Sequence, residues 1–262
     1  MRNVSKTLYI PLYGKALVSR KGILLRDRKA EEIWEKEGFA LKGKAASKWL
    51  AYYMGMRCRV FDDWLGEKLK ENPRAVILHI GCGMDSRVCR VNHDGHTWYD
   101  IDFPDVIDQR QKHYPAMDGY CMIGSDARDT AYLSQMPGEN AVVVLEGLSM
   151  YLAPRELKQL LSDLAGRFQK VSVLMDCYTV FAAKASKYKN PVNEVGVTAL
   201  YGIDDPKELE ESGLQYRGEH DLTPERLIAE LTGWEQKLFR KLYAGSMAKK
   251  IYRLYEFSGK RA

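Results

Sequence analysis

Two acids in this chain stand where a buried strand ends, about twenty residues after a glycine turn. The turn contains Gly81 and Gly83, and the acids are Asp100 and Asp102. This is the distance at which a second parallel strand brings a carboxylate to the hydroxyls of a ribose. The pattern predicts a site for a cofactor with an adenosine half. Both acids point to the same side of an alternating strand, so the spacing leaves open which one binds ribose.

The residues around the turn indicate which cofactor it binds. Gly81 and Gly83 have no Cβ, which allows left-handed dihedrals and lets a ligand lie against the backbone. The third glycine of a dinucleotide motif would fall at Ser86 and is missing, and Asp85 places a negative charge where a pyrophosphate would lie. These residues favour a cofactor without phosphates, and S-adenosylmethionine fits that description.

Apolar runs alternate with helical patterns along the middle of the chain, which predicts a doubly wound, mostly parallel sheet. An amphipathic helix is expected after Pro154, and its apolar residues recur at helical spacing from Leu157 to Phe168. A sixth strand is expected over 214–220, and an antiparallel edge strand over 251–257. The first five strands are predicted over 75–80, 96–101, 120–123, 141–145 and 171–175.

Composition predicts one α/β domain over 1–262, with 45% hydrophobic and 29% charged residues. Its parts are an N-terminal helical cap (1–72), a cofactor-binding core (73–177), and a lid insert with terminal strands (178–262). The polar N-terminus indicates a cytoplasmic protein with no membrane partner. The five cysteines lack paired spacing, so we expect reduced thiols and no metal. The charge of +5 includes a basic C-terminal end, but a solvated helix face is the simpler interpretation, which argues against nucleic acid.

Six motifs, in this order and spacing, resemble the leucine carboxyl methyltransferase family, and especially its smaller bacterial branch of polyketide O-methyltransferases. This resemblance implies a Rossmann-like fold that binds S-adenosyl-L-methionine, with N-terminal helices, a terminal antiparallel strand and a helical substrate lid. Cys58 departs from the family's usual threonine. The motifs are Lys6–Ala16, Arg57–Asp63, Ile80–Arg87, Trp98–Pro104, Ser125-Asp126 and Leu145–Leu152.

The resemblance also implies roles for single residues. Arg57 would clamp the carboxylate of the cofactor's methionine part. Asp126 would lie beside the adenine amine, with Ala127 next to it. Glu146, which ends a wholly apolar strand, would lie beside the sulfonium or the methionine amine. Tyr151 either lines the substrate pocket or packs against the sheet. None of the five histidines stands out as a general base, so no catalytic base is assigned.

The function expected from these features is O-methylation of a hydroxyl or carboxylate on a small molecule, with a polyketide-like acceptor as one candidate. The alternatives are a protein carboxyl methyltransferase, a nucleotide-binding domain that has lost catalysis, a nucleic-acid methyltransferase or binder, and an NAD-dependent oxidoreductase. The acceptor and the oligomeric state stay open, because residues 180–250 carry no motif that identifies a substrate.

Overall fold

The computed structural model describes residues 8–38, 40–189 and 200–261. Lys6 and Thr7 of the first motif, and residues 190–199 of the predicted lid, therefore lie outside the described residues. Within the described ranges, seven strands form one sheet. These strands are β1 Val76–Ile80, β2 Trp98–Asp102, β3 Tyr120–Gly124, β4 Asn140–Leu145, β5 Lys170–Tyr178, β6 Gln215–His220 and β7 Tyr252–Lys260.

The strand order is β3-β2-β1-β4-β5-β7-β6. The first five strands pair in parallel, and β7 runs antiparallel to both β5 and β6. This confirms the predicted doubly wound sheet with a terminal antiparallel strand. The five predicted parallel strands are present, with ends that differ from the prediction by at most three residues.

The α-helices lie before, between and after the strands. They are α1 Tyr9–Arg20, α2 Arg28–Glu37, α3 Lys48–Glu71, α4 Arg87–Arg90, α5 Pro104–Gln111, α6 Pro154–Arg167, α7 Val180–Lys189, α8 Glu225–Ile228, α9 Gly233–Leu242 and α10 Ser246–Lys249. No helix in the described part of the chain is both long and apolar enough to span a bilayer.

Two apolar cores cover the two faces of the sheet. One core joins α1, α2 and α3 to residues of β1, β2 and β4. The other packs α6 against the opposite face, where Leu157, Leu160, Leu161 and Leu164 are buried. This confirms the predicted apolar stripe of α6. Because β1 and β4 are covered on both faces, their sequences are continuous apolar runs rather than alternating ones.

The terminal strand differs from the prediction in its position. The stretch 251–257 was expected at the sheet edge, but β7 lies between β5 and β6, and β6 is the edge strand. Its pairing with β5 extends from Lys170↔Lys260 to Tyr178↔Tyr252. This long antiparallel pairing also extends β5 beyond its predicted end, so Asp176 lies inside the strand.

Candidate active site

A cavity of about 600 Å³ opens at the carboxyl edge of the parallel strands. Its floor comes from the turn after β1 and the loop after β4. One wall comes from α1 and α3, and the rest from the end of β5, the start of β7 and the segment containing α9 and α10. Five of the residues predicted for the site line this cavity, namely Arg57, Gly81, Gly83, Glu146 and Tyr151.

The glycine turn has the backbone geometry that the sequence predicts. Gly81 and Gly83 have φ values of 73° and 52°, which side-chain-bearing residues rarely adopt. A Cβ on Gly81 would lie 3.1 Å from Leu148, and one on Gly83 would lie 2.9 Å from Leu8. Both positions therefore require glycine, and the turn exposes backbone to the cavity.

A buried ionic cluster forms the polar end of the cavity. Glu146 Oε1 lies 3.1 Å from Arg57 Nη2 and 4.0 Å from Lys15 Nζ. Arg57 Nη1 donates to Asp176 Oδ2 at 2.8 Å, and Lys15 Nζ donates to Asp85 Oδ2 at 2.6 Å. All five side chains are at most 6% exposed, so these charges interact across protein rather than water.

The cluster favours the charged forms of Glu146 and Arg57. Burial raises the pKa of Glu146, but Lys15, Arg57 and Arg87 outweigh that effect and hold the pKa below its usual value. Burial lowers the pKa of Arg57, and the facing Asp176 and Glu146 raise it further than burial lowers it. Arg57 Nε has no hydrogen-bond partner among the described residues. The arginine therefore keeps one buried donor unused.

The structure separates the two acids of β2. Asp100 is fully buried, and its carboxylate accepts from Trp98 Nε1 at 2.8 Å and Tyr120 Oη at 2.6 Å. It also pairs with Arg110 and with His79 Nδ1 at 3.1 Å. Neither Asp100 nor Asp102 lines the cavity, but only Asp100 has its carboxylate occupied by four side-chain partners. Its prediction as a cofactor ligand is not supported by this position.

Asp102 ends β2 beside the glycine turn. Its Oδ2 accepts from the Gly83 N–H at 2.7 Å, and its Oδ1 accepts from the Phe103 N–H at 2.7 Å. Burial raises the pKa of Asp102 to about 6, although the two N–H donors and Arg110 oppose the shift. Unlike Asp100, Asp102 is partly exposed and bonded chiefly to backbone.

Asp126 and Ala127 follow β3 and do not line the cavity. Asp126 is partly exposed and pairs with Arg128, whose Nη2 lies 2.5 Å from Asp126 Oδ2. Ser125 N–H donates to the Asp102 carbonyl at 2.8 Å, which holds this loop next to the end of β2. Ala127 packs against the core on the α6 side. Both residues thus lie near the turn but outside the cavity wall.

One end of the cavity is aromatic, and it adjoins the ionic cluster, because the Arg57 guanidinium carbon lies 5.9 Å from the centroid of the Tyr252 ring. Trp49 and Tyr243 stack with ring centroids 5.5 Å apart and an interplanar angle of 12°. Tyr252 contacts Tyr178 at 4.6 Å and Tyr53 at 5.7 Å between centroids. All five rings line the cavity, and together they form what we call the aromatic end. The sequence showed aromatic enrichment in the C-terminal region but no spacing that assigned it to a pocket.

Sequence reasoning missed Lys15 and Asp176. Lys15 is a buried lysine within α1, between the buried Leu12 and Val18. A charged residue enclosed by an apolar helix face was a usable signal, because buried lysines need a partner. Asp176 follows a mostly apolar strand segment, and Glu146 follows a wholly apolar one. Asp85, whose charge disfavours a pyrophosphate, accepts from the Arg87 N–H at the start of α4 and also pairs with Lys15.

Three side chains of this region could in principle ligate a metal ion. Atoms of Cys58, Asp85 and Glu146 lie within 4.8 Å of one another. Each already faces a cation, because Arg90 contacts the Cys58 thiol, Lys15 contacts Asp85 and Arg57 contacts Glu146. The surrounding cations match the negative charge, so this group supports an ionic cluster rather than a metal centre.

Comparison with known proteins agrees with this geometry. The chain is 30% identical over 235 residues to the tetracenomycin polyketide synthesis O-methyltransferase of Streptomyces glaucescens, covering 88% of this chain and 87% of the relative. It is 31% identical over 245 residues to an S-adenosyl-L-methionine-dependent methyltransferase of Gibberella zeae, covering 83% and 82% respectively.

A solved structure of a protein from Thermobifida fusca has the same fold. It superposes with a TM-score of 0.59 at 14% identity, covering 84% of this chain and 90% of that one. Residues 3–165 match the leucine carboxyl methyltransferase family. The six motifs, the sheet order and these relatives agree, and the chain belongs to the leucine carboxyl methyltransferase family.

Proposed function

We propose that this protein is an S-adenosylmethionine-dependent O-methyltransferase that acts on a small molecule. The observation that carries the proposal is the buried set of opposite charges beside the glycine turn. The methionine part of the cofactor has a carboxylate and an ammonium on one carbon, so it requires a cation and an anion side by side. Arg57 and Glu146 supply them, with atoms 3.1 Å apart.

The carboxylate and the ammonium of the methionine part then each have a partner of opposite charge. Arg57 and Lys15 would bind the carboxylate, and the free Nε of Arg57 gives that arginine a donor beyond those used by Glu146 and Asp176. Glu146 would accept from the ammonium. Without ligand these groups pair with one another, and a zwitterion can enter while every charge keeps an opposite partner.

The adenosine part would extend along the turn toward the end of β2. Gly81 and Gly83 let the ligand approach the backbone, and Asp102 is the acid placed to accept from the ribose hydroxyls. Asp126 and Ala127 lie on the neighbouring loop, which Ser125 ties to Asp102. The position of Asp126 beside the adenine amine, with Ala127 next to it, stays a prediction. The contact between this loop and the end of β2 supports it.

The aromatic end would hold the acceptor. The described acids and histidine that line the cavity are Asp85, Glu146 and His79, and all three belong to the ionic end. Burial raises the pKa of Tyr53 and of Tyr252 far above neutrality. These phenols are therefore hydrogen-bond donors rather than bases, which favours an acceptor oxygen that ionises readily, such as a carboxylate or an acidic phenol.

S-adenosylmethionine supplies an already activated methyl group, so the protein's main task is to align the acceptor oxygen with it. The stacked Trp49 and Tyr243 and the Tyr53, Tyr178 and Tyr252 cluster suit a flat apolar acceptor. An enclosed aromatic chamber favours a small molecule over the terminus of a folded protein. Leu242 and Met247 belong to the predicted lid region of 178–262 and also line this cavity. Their position supports the assignment of this region as a substrate lid.

Calorimetric titration with S-adenosylhomocysteine tests the cofactor, with NAD as the control ligand. We expect micromolar binding of S-adenosylhomocysteine, about −8 kcal/mol, and no binding of NAD. Tight NAD binding without S-adenosylhomocysteine binding would overturn the proposal. Incubation with labelled S-adenosylmethionine and aromatic acids or phenols then identifies the acceptor, and base lability of the label separates an ester from an ether.

Substituting Gly83 with alanine should weaken cofactor binding. At φ 52° an alanine costs roughly 1–2 kcal/mol, and the backbone shift that relieves the strain moves the turn away from the ligand. Gly95→Ala is a matched control, because Gly95 also has a positive φ of 79° and a Cβ there meets nothing within 4 Å. Both variants should lose similar stability in urea unfolding, but only Gly83→Ala should lose affinity for S-adenosylhomocysteine.

Cofactor affinity should depend on pH through Asp102. Its pKa is about 6 in the free protein, and the ribose hydroxyls bind the carboxylate better than the neutral acid. Affinity should be constant above about pH 7 and fall by up to tenfold per unit as the pH drops below about 6. Calorimetry at several pH values checks this. Asp102→Asn should bind weakly with no such decline, and a decline retained in that variant would assign the titration to another group.

A further inference from the structure

Arg87 is a buried arginine behind the cavity. It is the first residue of α4, it is fully buried, and it does not line the cavity wall. Its Nε donates to Asp62 Oδ1 at 2.6 Å, and its Nη1 lies 3.1 Å from His79 Nε2. Its Nη2 donates to Glu146 Oε2. Nη2 also lies 3.5 Å from Asp85 Oδ2, so one guanidinium contacts four acid or histidine side chains from α3, β1 and the loops after β1 and β4.

Glu146 divides its two oxygens between different partners. Oε1 faces the cavity cations, with Arg57 at 3.1 Å and Lys15 at 4.0 Å. Oε2 faces away and is taken by Arg87. A carboxylate anchored through one oxygen presents the other in a fixed direction, and the planar guanidinium fork is suited to impose that direction.

The anchor is itself held in place. Arg87 is fixed at Nε by Asp62 and at Nη1 by His79, and His79 is in turn bonded to Asp100. The ring of Phe61 lies 5.6 Å from the Arg87 guanidinium carbon. These contacts leave the guanidinium little freedom to rotate.

We propose that Arg87 is a positioning residue that fixes the Glu146 carboxylate for the cofactor's ammonium. This inference rests on the proposed cofactor site, because it assigns the role of Arg87 through Glu146. Arg87 contacts two acids that line the ionic end of the cavity, Glu146 and, at 3.5 Å from its Nη2, Asp85, so its effect falls on the methionine part of the cofactor rather than on the adenosine part.

Arg90, one turn further along α4, provides a matched control. It also binds Asp62, at 2.6 Å, and it contacts Asp27, Asp85 and Cys58, but it does not reach Glu146. Every acid that would lose Arg87 or Arg90 keeps another partner. Asp62 keeps the other arginine, Glu146 keeps Arg57, and Asp85 keeps Lys15. Replacing either arginine with methionine should therefore cost similar stability.

The test compares two ligands with these two variants. S-adenosylhomocysteine carries the methionine-derived ammonium and carboxylate, and 5′-methylthioadenosine keeps the adenosine without them. For Arg87→Met we expect the affinity for S-adenosylhomocysteine to fall by about tenfold or more, as when one partner of a buried ionic hydrogen bond is lost. The affinity for 5′-methylthioadenosine should stay within about twofold of wild type. For Arg90→Met both affinities should stay close to wild type.

Other outcomes overturn the inference in distinct ways. If Arg87→Met lowers the affinity for both ligands equally, Arg87 is only structural. The same conclusion follows if Arg90→Met also lowers the affinity for S-adenosylhomocysteine alone. Arg87→Lys keeps the charge and serves if the methionine variant does not fold, and it should show a smaller loss that is again selective for S-adenosylhomocysteine. If wild-type protein binds neither ligand, the proposed function fails. That result is distinguishable from a failure of the Arg87 inference alone, because it is seen without any variant.

Discussion

Replacing Arg57 with alanine should reduce affinity for S-adenosylhomocysteine by about a hundredfold or more. The guanidinium is buried and pairs with Glu146 and Asp176, and it is the strongest candidate for the cofactor's carboxylate. Its removal also leaves the buried Asp176 carboxylate without its cation, although the backbone N–H of Gly147 still donates to it at 2.6 Å. Breaking such a buried pair costs about 3–5 kcal/mol, so urea unfolding should show a large loss of stability beside the calorimetric loss.

Arg59, two residues further along α3, is the control for this result. It pairs with Asp63 at 2.9 Å at the surface, where the side chains are 39% and 34% exposed. Exposed pairs of this kind contribute little, about 0–1 kcal/mol. Arg59→Ala should bind S-adenosylhomocysteine as wild type does. Arg57→Lys should keep stability better than alanine and recover part of the affinity. A folded Arg57→Ala protein with wild-type affinity would remove Arg57 from the site.

Glu146→Gln should give the second large effect. Glutamine keeps the size of the side chain and an acceptor oxygen but loses the charge that balances Lys15, Arg57 and Arg87. We expect at least a tenfold loss of S-adenosylhomocysteine affinity, because the ammonium loses its anion and the cations around it are no longer balanced. The affinity for S-adenosylmethionine should fall further, because its sulfonium adds a second positive charge to the ligand.

Glu211→Gln is the charge-matched control. Glu211 is 77% exposed and pairs with Lys158 on the surface away from the cavity. It should leave both affinities unchanged. Calorimetry with S-adenosylmethionine, S-adenosylhomocysteine and 5′-methylthioadenosine compares the loss of affinity between ligands that differ in the positive charges they carry. Equal losses for all three ligands in Glu146→Gln would indicate a disturbed pocket rather than a missing anion.

The sequence predicted the parts of the site that depend on local order along the chain. The glycine turn, the two acids near the end of β2 and Glu146 after β4 could be identified because strand ends in a parallel sheet meet at one edge. Asp100 and Asp102 could not be separated in this way, since alternation places them on the same face. What separates them is Arg110 from α5 and Tyr120 from β3, which occupy the carboxylate of Asp100.

Contacts between segments that are far apart in the chain were harder to predict from the sequence. Lys15 meets Asp85 across 70 residues, and Arg57 meets Asp176 across 119. Neither pairing follows from spacing, because it depends on how the N-terminal helices pack over the sheet edge. The position of β7 is similar: its alternating pattern suits an edge strand, and only its pairing with β6 shows that another strand covers it.

A crystal structure with S-adenosylhomocysteine would show directly whether the Arg57–Glu146 pair binds the cofactor. We expect the ligand's carboxylate within hydrogen-bond distance of Arg57, its ammonium on Glu146 Oε1, and its ribose on Asp102, with Arg87 still on Oε2. A ligand bound elsewhere, or one whose amino acid part leaves the Arg57–Glu146 pair untouched, would contradict this expectation.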